Sequence, residues 1–475
     1  MSDVAFLDLP PERPWRGEFA ATLRLSWPLA LANLLQMLTY AIDVIFIARL
    51  GPEQLAASSL SVAYFGLVTW GLIGLTGAAA PLMAAELGAR APALRAVRRV
   101  MRMALWLAVL SGAAGMGLCL LAGQLMRATG QDPAIAAMAR EYMSLLLLST
   151  IPMVAASVLR TFVSALGRPV VATVITAGGI GVNALGNYAL IFGNFGVPAL
   201  GLRGAAIATL LTSLAILAAY FAAIALDPRM RRYRILGNWW RIDADRLAQL
   251  ARVGTPIALT VVAEGGIFGA AAFMMGRFGA TQLAAHTVAL QLAALAFQVP
   301  FGVSQAATIR VGYFFGARDR AGVARAGWVA LAIGTGFMAT TALAMLLVPE
   351  MLLSLYIDPS DPANAVLVAF ALRYLAVAAG FQLFDGVQSV AAGVLRGLQD
   401  TRVPMVIAIF AYWVPGCGTA MVLGFATGLH GLGVWIGLAF GLVAAALLLV
   451  SRWHRRERLG LFDRAPHGPV PPIVH

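Results

Sequence analysis

The sequence has little charge and few of the residues that build soluble catalytic sites. Only 12% of its 475 residues are charged and 60% are hydrophobic, whereas a soluble domain carries about 25% charged residues. Lysine is absent, histidine occurs five times, and the only two cysteines, Cys119 and Cys417, lie inside apolar segments. This composition excludes a soluble multidomain protein, a disordered chain and a disulfide-stabilised domain. It indicates an integral membrane protein.

Long apolar segments account for this composition. A helix needs about 20 residues to cross a bilayer, and twelve segments reach that length. We predict spans at residues 24–48, 60–85, 100–122, 138–162, 169–193, 203–226, 250–275, 284–310, 325–347, 365–392, 404–426 and 432–452. The first 23 residues contain three prolines and no apolar core, so we expect no cleavable signal peptide.

The basic residues are distributed unevenly between the two sides of the predicted membrane. All 34 are arginine, and 28 of them lie at the two termini or in the loops after every second span. By the positive-inside rule, both termini are cytoplasmic. The net charge of +13 therefore indicates attraction to anionic lipid, and we expect no nucleic-acid partner.

The two halves of the sequence repeat each other at an offset of 228 residues. Residues 49–57 and 277–285 are identical at six of nine positions, and Pro28 recurs as Pro256. The fold class that we predict is all-α integral membrane, with 12 transmembrane helices in two pseudo-twofold-related six-helix bundles. The predicted boundaries are a cytoplasmic tail 1–14, a first lobe 15–225, a cytoplasmic loop 226–249, a second lobe 250–455 and a cytoplasmic tail 456–475. Such duplication is typical of transporters that work by alternating access.

Three of the 21 carboxylates lie within predicted spans: Asp43, Glu264 and Asp385. A charge at the bilayer centre costs about 2.5 kcal/mol or more, so such acids indicate function. We place no arginine at comparable depth, and an unpaired carboxylate there takes up a proton or binds a cation such as Na⁺. We therefore expect H⁺ or Na⁺ as a coupling ion at these acids and no other cofactor.

The helical rise predicts which of these side chains lie at one level. At about 1.5 Å per residue, Glu264 and Asp385 lie about 18 and 16 Å from the cytoplasmic edge of the second lobe. In the first lobe, Asp43 and Asn187 lie at one level, with Asn183 one turn below. An acid and two amides satisfy each other's hydrogen bonds or bind a small cation through oxygen. Purely structural hydrogen bonding is the alternative for each of them.

The repeat and the histidines add two further interpretations. Gln36 occupies the position equivalent to Glu264, so the two lobes place the acid of their first helix seven residues apart. His286 lies at the outer start of the eighth span, and we interpret it as an interfacial histidine rather than a proton relay.

Several of these segments resemble one transporter family. They are Thr39-Tyr40-Ala41-Ile42-Asp43, the pair Asn183 and Asn187, the helix of Glu264, and the stretch from Asp385 through Gln388 to Gly397. The sequence is similar to the multidrug and toxic compound extrusion family, closest to its NorM-type bacterial branch, over residues 20–455. The resemblance implies secondary active efflux of small cationic or amphipathic organic compounds, driven by entry of Na⁺ or H⁺, and we expect a monomer.

The resemblance also implies roles for individual residues. Glu264 and Asp385 match the acidic pair of the second lobe, whereas Asp43, Asn183 and Asn187 match the polar cluster of the first. One position departs from the family. Four residues before the helix 10 acid, NorM-type relatives often have a cation-binding tyrosine, and this sequence has Phe381. The missing hydroxyl favours H⁺ over Na⁺.

Two other functions remain as alternatives. A lipid-linked oligosaccharide flippase of related fold needs basic residues inside the membrane for the pyrophosphate, whereas the intramembrane charges here are acidic. An intramembrane transferase needs a metal-binding acid cluster or a nucleophile constellation, and we find neither in the sequence.

Overall fold

The computed structural model describes residues 14–89, 93–124 and 132–464. Within these ranges, twelve helices are long and apolar enough to cross a membrane, which confirms the predicted number. They are α1 (Pro14–Ala48), α2 (Pro52–Ala89), α3 (Leu94–Gln124), α4 (Pro133–Ala165), α5 (Pro169–Phe192), α6 (Leu202–Leu226), α7 (Ala244–Gly276), α8 (Ala280–Gly316), α9 (Arg320–Leu347), α10 (Pro362–Gly397), α11 (Arg402–Ala426) and α12 (Gly431–His454). Most of both predicted tails lies outside the described residues.

Local sequence signals set many of the helix ends. Proline occupies the first position of α2, α4 and α5, where its missing N–H removes no helical hydrogen bond. Gly51 and Gly279, which are equivalent in the repeat, precede α2 and α8 with φ angles of +129° and +104°. Only glycine adopts these angles without strain. The same backbone turn therefore starts the second helix of each sequence repeat.

Helix α1 begins ten residues earlier than the span predicted at residue 24. The extra turns contain the polar side chains Glu18 and Thr22, and both are fully buried. Hydropathy could not predict this extension, because the polar residues find their partners in the folded protein rather than in the local sequence.

The helices form two compact units that do not coincide with the two halves of the sequence. One, called unit 2, contains Arg24–Ala79 and Leu94–Ala270. Within it, α5 packs along α6, and α4 packs against α2, α3 and α6. The first part of α7 lies close to α2, since a Cβ atom at Gly74 would lie 3.0 Å from the Cα of Ala258.

The other, unit 1, contains the chain up to Leu23, Ala80–Ala93 and Ala271–His475. Its centre is α10, which packs against α8, α9 and α12. The α8–α10 contact is close because Gly393 faces Ser304, whose Oγ would lie 2.4 Å from an added Cβ. The Oγ of Ser304 donates to the carbonyl of Ser389 at 2.7 Å, and small residues with such hydrogen bonds are typical of membrane helix packing.

Two glycines that are equivalent in the repeat make reciprocal contacts within unit 1. A Cβ atom on Gly88 of α2 would lie 1.8 Å from the carbonyl oxygen of Tyr313 on α8. A Cβ atom on Gly316 of α8 would lie 1.9 Å from the carbonyl oxygen of Ala85 on α2. The offset of 228 also relates Ala85 to Tyr313, so each contact repeats the other.

Candidate functional site

The carboxylate of Asp43 is held by the two predicted amides in unit 2. Its Oδ1 accepts hydrogen bonds from the Nδ2 of Asn183 at 2.9 Å and from the Nδ2 of Asn187 at 2.6 Å. The Nδ2 of Asn187 also donates to the Oδ1 of Asn183 at 3.2 Å. The two asparagines lie one turn apart on α5 and are buried. The structure therefore brings these three predicted residues together.

This cluster has the features of a cation or proton site. Among the residues that the structure describes, no arginine or histidine forms an ion pair with Asp43. The amide N–H groups stabilise its ionised form without neutralising it. The Oδ1 of Asn187 is buried and has no hydrogen-bond partner, so it is an available oxygen ligand beside the carboxylate.

Asp385 lies on α10 in unit 1 and is only 6% exposed. Its Oδ1 accepts a hydrogen bond of 3.3 Å from the Nε2 of Gln388, one turn further along the helix. The Oε1 of Gln388 in turn accepts a hydrogen bond of 2.9 Å from the hydroxyl of Tyr412 on α11. The side-chain oxygen of Gln388 is therefore occupied by the tyrosine hydroxyl, and the side-chain amide faces Asp385 with its N–H group.

An aromatic cluster lies one turn before Asp385. The ring of Phe381 stacks on Trp435 of α12 with centroids 5.4 Å apart, and Tyr374 stacks on the same indole at 5.8 Å. Phe381 is buried, so its ring fills the position where the resembled family often has a tyrosine hydroxyl. The structure thus gives this departure a packing role.

The other predicted site residues lie elsewhere in the chain. Glu264 is partly buried on α7 and belongs to unit 2, whereas Asp385 belongs to unit 1. The predicted pairing of Glu264 with Asp385 stays a prediction. Gln36 lies on α1, one turn before Tyr40. Within the described ranges, no three His, Cys, Asp or Glu side chains are grouped so that they could hold a metal ion.

Sequence reasoning missed one buried charge pair and misplaced one histidine. Glu18 and Arg310 form an ion pair in unit 1 in which both side chains are fully buried. The available signal was Arg310 at the very end of the predicted eighth span. His286 is 1% exposed, so the interfacial interpretation was wrong. The ring is covered because Trp435 packs against it edge-on at 5.5 Å.

The helices and the membrane-embedded polar clusters define a polytopic membrane transporter, and this class is supported by comparison with known proteins. A profile of the family named MatE matches residues 28–189 and 256–421. The two matches begin 228 residues apart, at the offset of the internal repeat. The chain belongs to the MatE family.

Individual relatives cover almost the whole chain. A probable multidrug resistance protein NorM of Mesorhizobium japonicum is 45% identical over 94% of this chain and 96% of the relative. A protein of the same name from Brucella suis is 41% identical over 93% and 94% of the respective chains. The solved structure of a MOP superfamily transporter from Pyrococcus furiosus matches with a TM-score of 0.84 over 98% of this chain and 99% of that one, at 23% identity. The fold is therefore that of a transporter and not of an enzyme.

Proposed function

We propose that the chain is a secondary active antiporter of the bacterial inner membrane. It exports cationic and amphipathic organic compounds in exchange for H⁺ by alternating access. The names of its relatives support multidrug efflux as the activity. The duplicated helices favour alternating access, because transporters built from repeats move one bundle against the other.

The side chains around Asp385 support H⁺ rather than Na⁺ as the coupling ion. Small hard cations bind to several oxygen ligands. Beside Asp385, Gln388 presents its N–H group, and its oxygen is engaged by Tyr412. Phe381 supplies a ring stacked on Trp435 and no oxygen. These neighbours favour a carboxyl group that binds and releases a proton over a Na⁺ site.

The electrostatics give the direction of coupling. An ionised carboxylate in a medium of low dielectric constant attracts an organic cation, and a protonated one does not. Protonation from the outer side therefore lowers the affinity for a cationic compound and favours its release outward. Deprotonation toward the cytoplasm restores the affinity. Asp43, which accepts hydrogen bonds from Asn183 and Asn187, is the candidate acid of unit 2, and Glu264 is a third candidate.

The test uses purified protein in proteoliposomes with ethidium as the transported compound. We expect efflux to follow an imposed pH gradient and to ignore an imposed Na⁺ gradient at the same membrane potential. Efflux driven by Na⁺ alone would overturn H⁺ coupling and would favour Na⁺ at Asp43, where the Oδ1 of Asn187 is available.

Variants test the carboxylates themselves. Asp385→Asn and Glu264→Gln should each abolish ethidium efflux while the protein remains in the membrane. The matched control is Glu53→Gln, at an exposed acid in the first turn of α2, which should transport normally. Normal efflux by both neutral variants would show that these carboxylates do not couple transport.

A further inference from the structure

Two buried side chains that touch each other in unit 1 carry three nitrogens without hydrogen-bond partners. Both ring nitrogens of His286 on α8 are unpartnered, and so is the Nε1 of Trp435 on α12. The two side chains are 1% and 0% exposed, and their ring centroids lie 5.5 Å apart. Buried polar groups are almost always hydrogen-bonded in native proteins. Two such residues in direct contact therefore indicate a ligand.

The chemistry of the three groups fits water. The indole Nε1 is a donor only, while a neutral imidazole has one donor and one acceptor nitrogen. A water molecule accepts from the indole and donates to the acceptor nitrogen of the imidazole, and the donor nitrogen, which points elsewhere, can donate to a second water. No carboxylate or thiol is needed, which agrees with the absence of a metal-binding group among the described residues.

The site lies on a polar stripe that leads to Asp385. On α8, residues Gln282, His286 and Ala293 recur at intervals of four and seven, so they share one face of the helix. The carbonyl of Ala293 accepts a hydrogen bond of 3.4 Å from the Nε2 of Gln382 on α10. The Oε1 of Gln382 is also buried without a partner, and Asp385 follows it after one helical turn.

The outer end of the stripe is closed by hydrogen bonds. The Oε1 of Gln282 accepts from the hydroxyl of Tyr374 at 3.1 Å and from the backbone N–H of Gly431 at 3.2 Å. Gly431 begins α12, where the chain reaches the membrane surface, and the neighbouring His430 is exposed. The stripe therefore runs from this surface to the depth of Asp385.

The imidazole of His286 can accept a proton at one ring nitrogen and donate one from the other. On α10, Tyr374 donates to Gln282 of the stripe, Asp385 follows Gln382 by three residues, and Arg373 is exposed. Helix α9 has no titratable side chain over residues 326–347, nor has α12 over residues 431–451. The nearest other groups, His430 and Arg277, lie at the outer surface.

We propose that His286 and Trp435 bind a water molecule and that this hydrated site passes protons from the outer surface to Asp385. The imidazole accepts H⁺ from this water at one nitrogen and releases H⁺ from the other to a second water, from which the carboxylate of Asp385 takes it up. Only a proton moves, so the step needs no co-reactant. This inference rests on the proposed function, since it supplies the protons that Asp385 exchanges for the exported cation.

The test measures ethidium efflux driven by an imposed pH gradient in proteoliposomes. His286→Phe and Trp435→Phe keep aromatic rings but remove the polar nitrogens. Each should slow efflux by about a hundredfold, the contribution expected of a positioned proton-transfer group, with the Kd for ethidium unchanged. The control His454→Phe makes the same change at an exposed helical position and should transport like the wild type.

A second variant separates proton transfer from structural support. His286→Gln restores hydrogen-bonding groups to the site but cannot relay a proton at neutral pH. It should regain wild-type thermal stability and still transport slowly, whereas normal efflux by His286→Gln would overturn the proposal. The variant Asp385→Asn shows whether the proton route or the proposed function has failed. If Asp385→Asn is inactive and His286→Gln transports normally, only the proton route is wrong. If efflux by Asp385→Asn still follows the pH gradient, H⁺ coupling through Asp385 is wrong.

Discussion

The guanidinium group of Arg310 holds both carboxylate oxygens of Glu18, at 2.7 Å from its Nε and 2.5 Å from its Nη2. The hydroxyl of Thr22 donates to the same carboxylate at 3.2 Å, and the ring of Phe314 lies 5.3 Å from the guanidinium carbon. Both charged side chains are fully buried. The pair fixes the start of α1 to α8 within unit 1.

Removing the acid of this pair leaves a buried, uncompensated guanidinium. Glu18→Gln should therefore lower the free energy of unfolding by about 3–5 kcal/mol. The control is Glu141→Gln, which breaks the exposed ion pair with Arg203 and should cost about 1 kcal/mol or less. Denaturant unfolding of the purified protein in detergent measures both, and equal losses would contradict the prediction.

The amide of Asn187 should matter for transport through its hydrogen bond to Asp43. A hydrogen bond to a charged group contributes about 1.5–3 kcal/mol, so Asn187→Ala should lower the rate of ethidium efflux about tenfold or more. Asn194→Ala is a suitable control because that amide donates to the backbone carbonyl of Tyr188 near the C-terminal end of α5. Efflux from intact cells, normalised to the amount of protein in the membrane, is the measurement. A normal rate for Asn187→Ala would assign the cluster a structural role only.

The contact between α2 and α8 at Gly88 leaves no room for a methyl group. The added Cβ of Gly88→Ala would lie 1.8 Å from the backbone carbonyl oxygen of Tyr313, so the helices must separate, and we expect loss of folded protein. Gly336→Ala is the matched change in a helix, with no atom within 4 Å of the added Cβ. It should be neutral or stabilise by about 1 kcal/mol, the difference in helix propensity. Size-exclusion chromatography in detergent after expression distinguishes the two outcomes.

The loop before α7 should respond to acid. Partial burial raises the pKa of Asp243, but hydrogen bonds from Arg99 and the backbone N–H of Arg246, with the charge of Arg99, outweigh it and hold the pKa below its usual value. The contribution of Asp243 to the free energy of unfolding is therefore present above its pKa in the unfolded chain, about 3.9. It is lost as the pH falls through the lower pKa of Asp243 in the folded protein. The gain is about 1 kcal/mol or less, since Arg99 is half exposed.

Asp243→Asn checks that assignment. It should lower the melting temperature slightly at pH 7 and should show a smaller drop than the wild type between pH 5 and pH 3. Identical acid profiles for the two proteins would contradict the role of the carboxylate. The expected change is small, so the measurement requires differential scanning fluorimetry of both proteins in the same detergent.

The number of membrane helices and the Asp43 cluster could be predicted from the sequence. Apolar length marks a span regardless of tertiary contacts, and the helical rise places Asp43 and Asn187 at one level. The pair of Glu18 and Arg310 could not be predicted, because it joins residues 292 positions apart and no local pattern records that approach. The burial of His286 depends in the same way on Trp435 of another helix.

The reciprocal contacts of Gly88 and Gly316 have a consequence for the history of the chain. An interface in which residue i meets residue j while j meets i is isologous, as in a symmetric dimer. In a dimer of identical half-length chains, the glycine of each chain would contact the same backbone carbonyl of the other chain, so one pair of positions would make both contacts. Fusion of two such chains would need no new interface at this point. Two separately expressed halves of the present gene would meet through the same two glycine contacts.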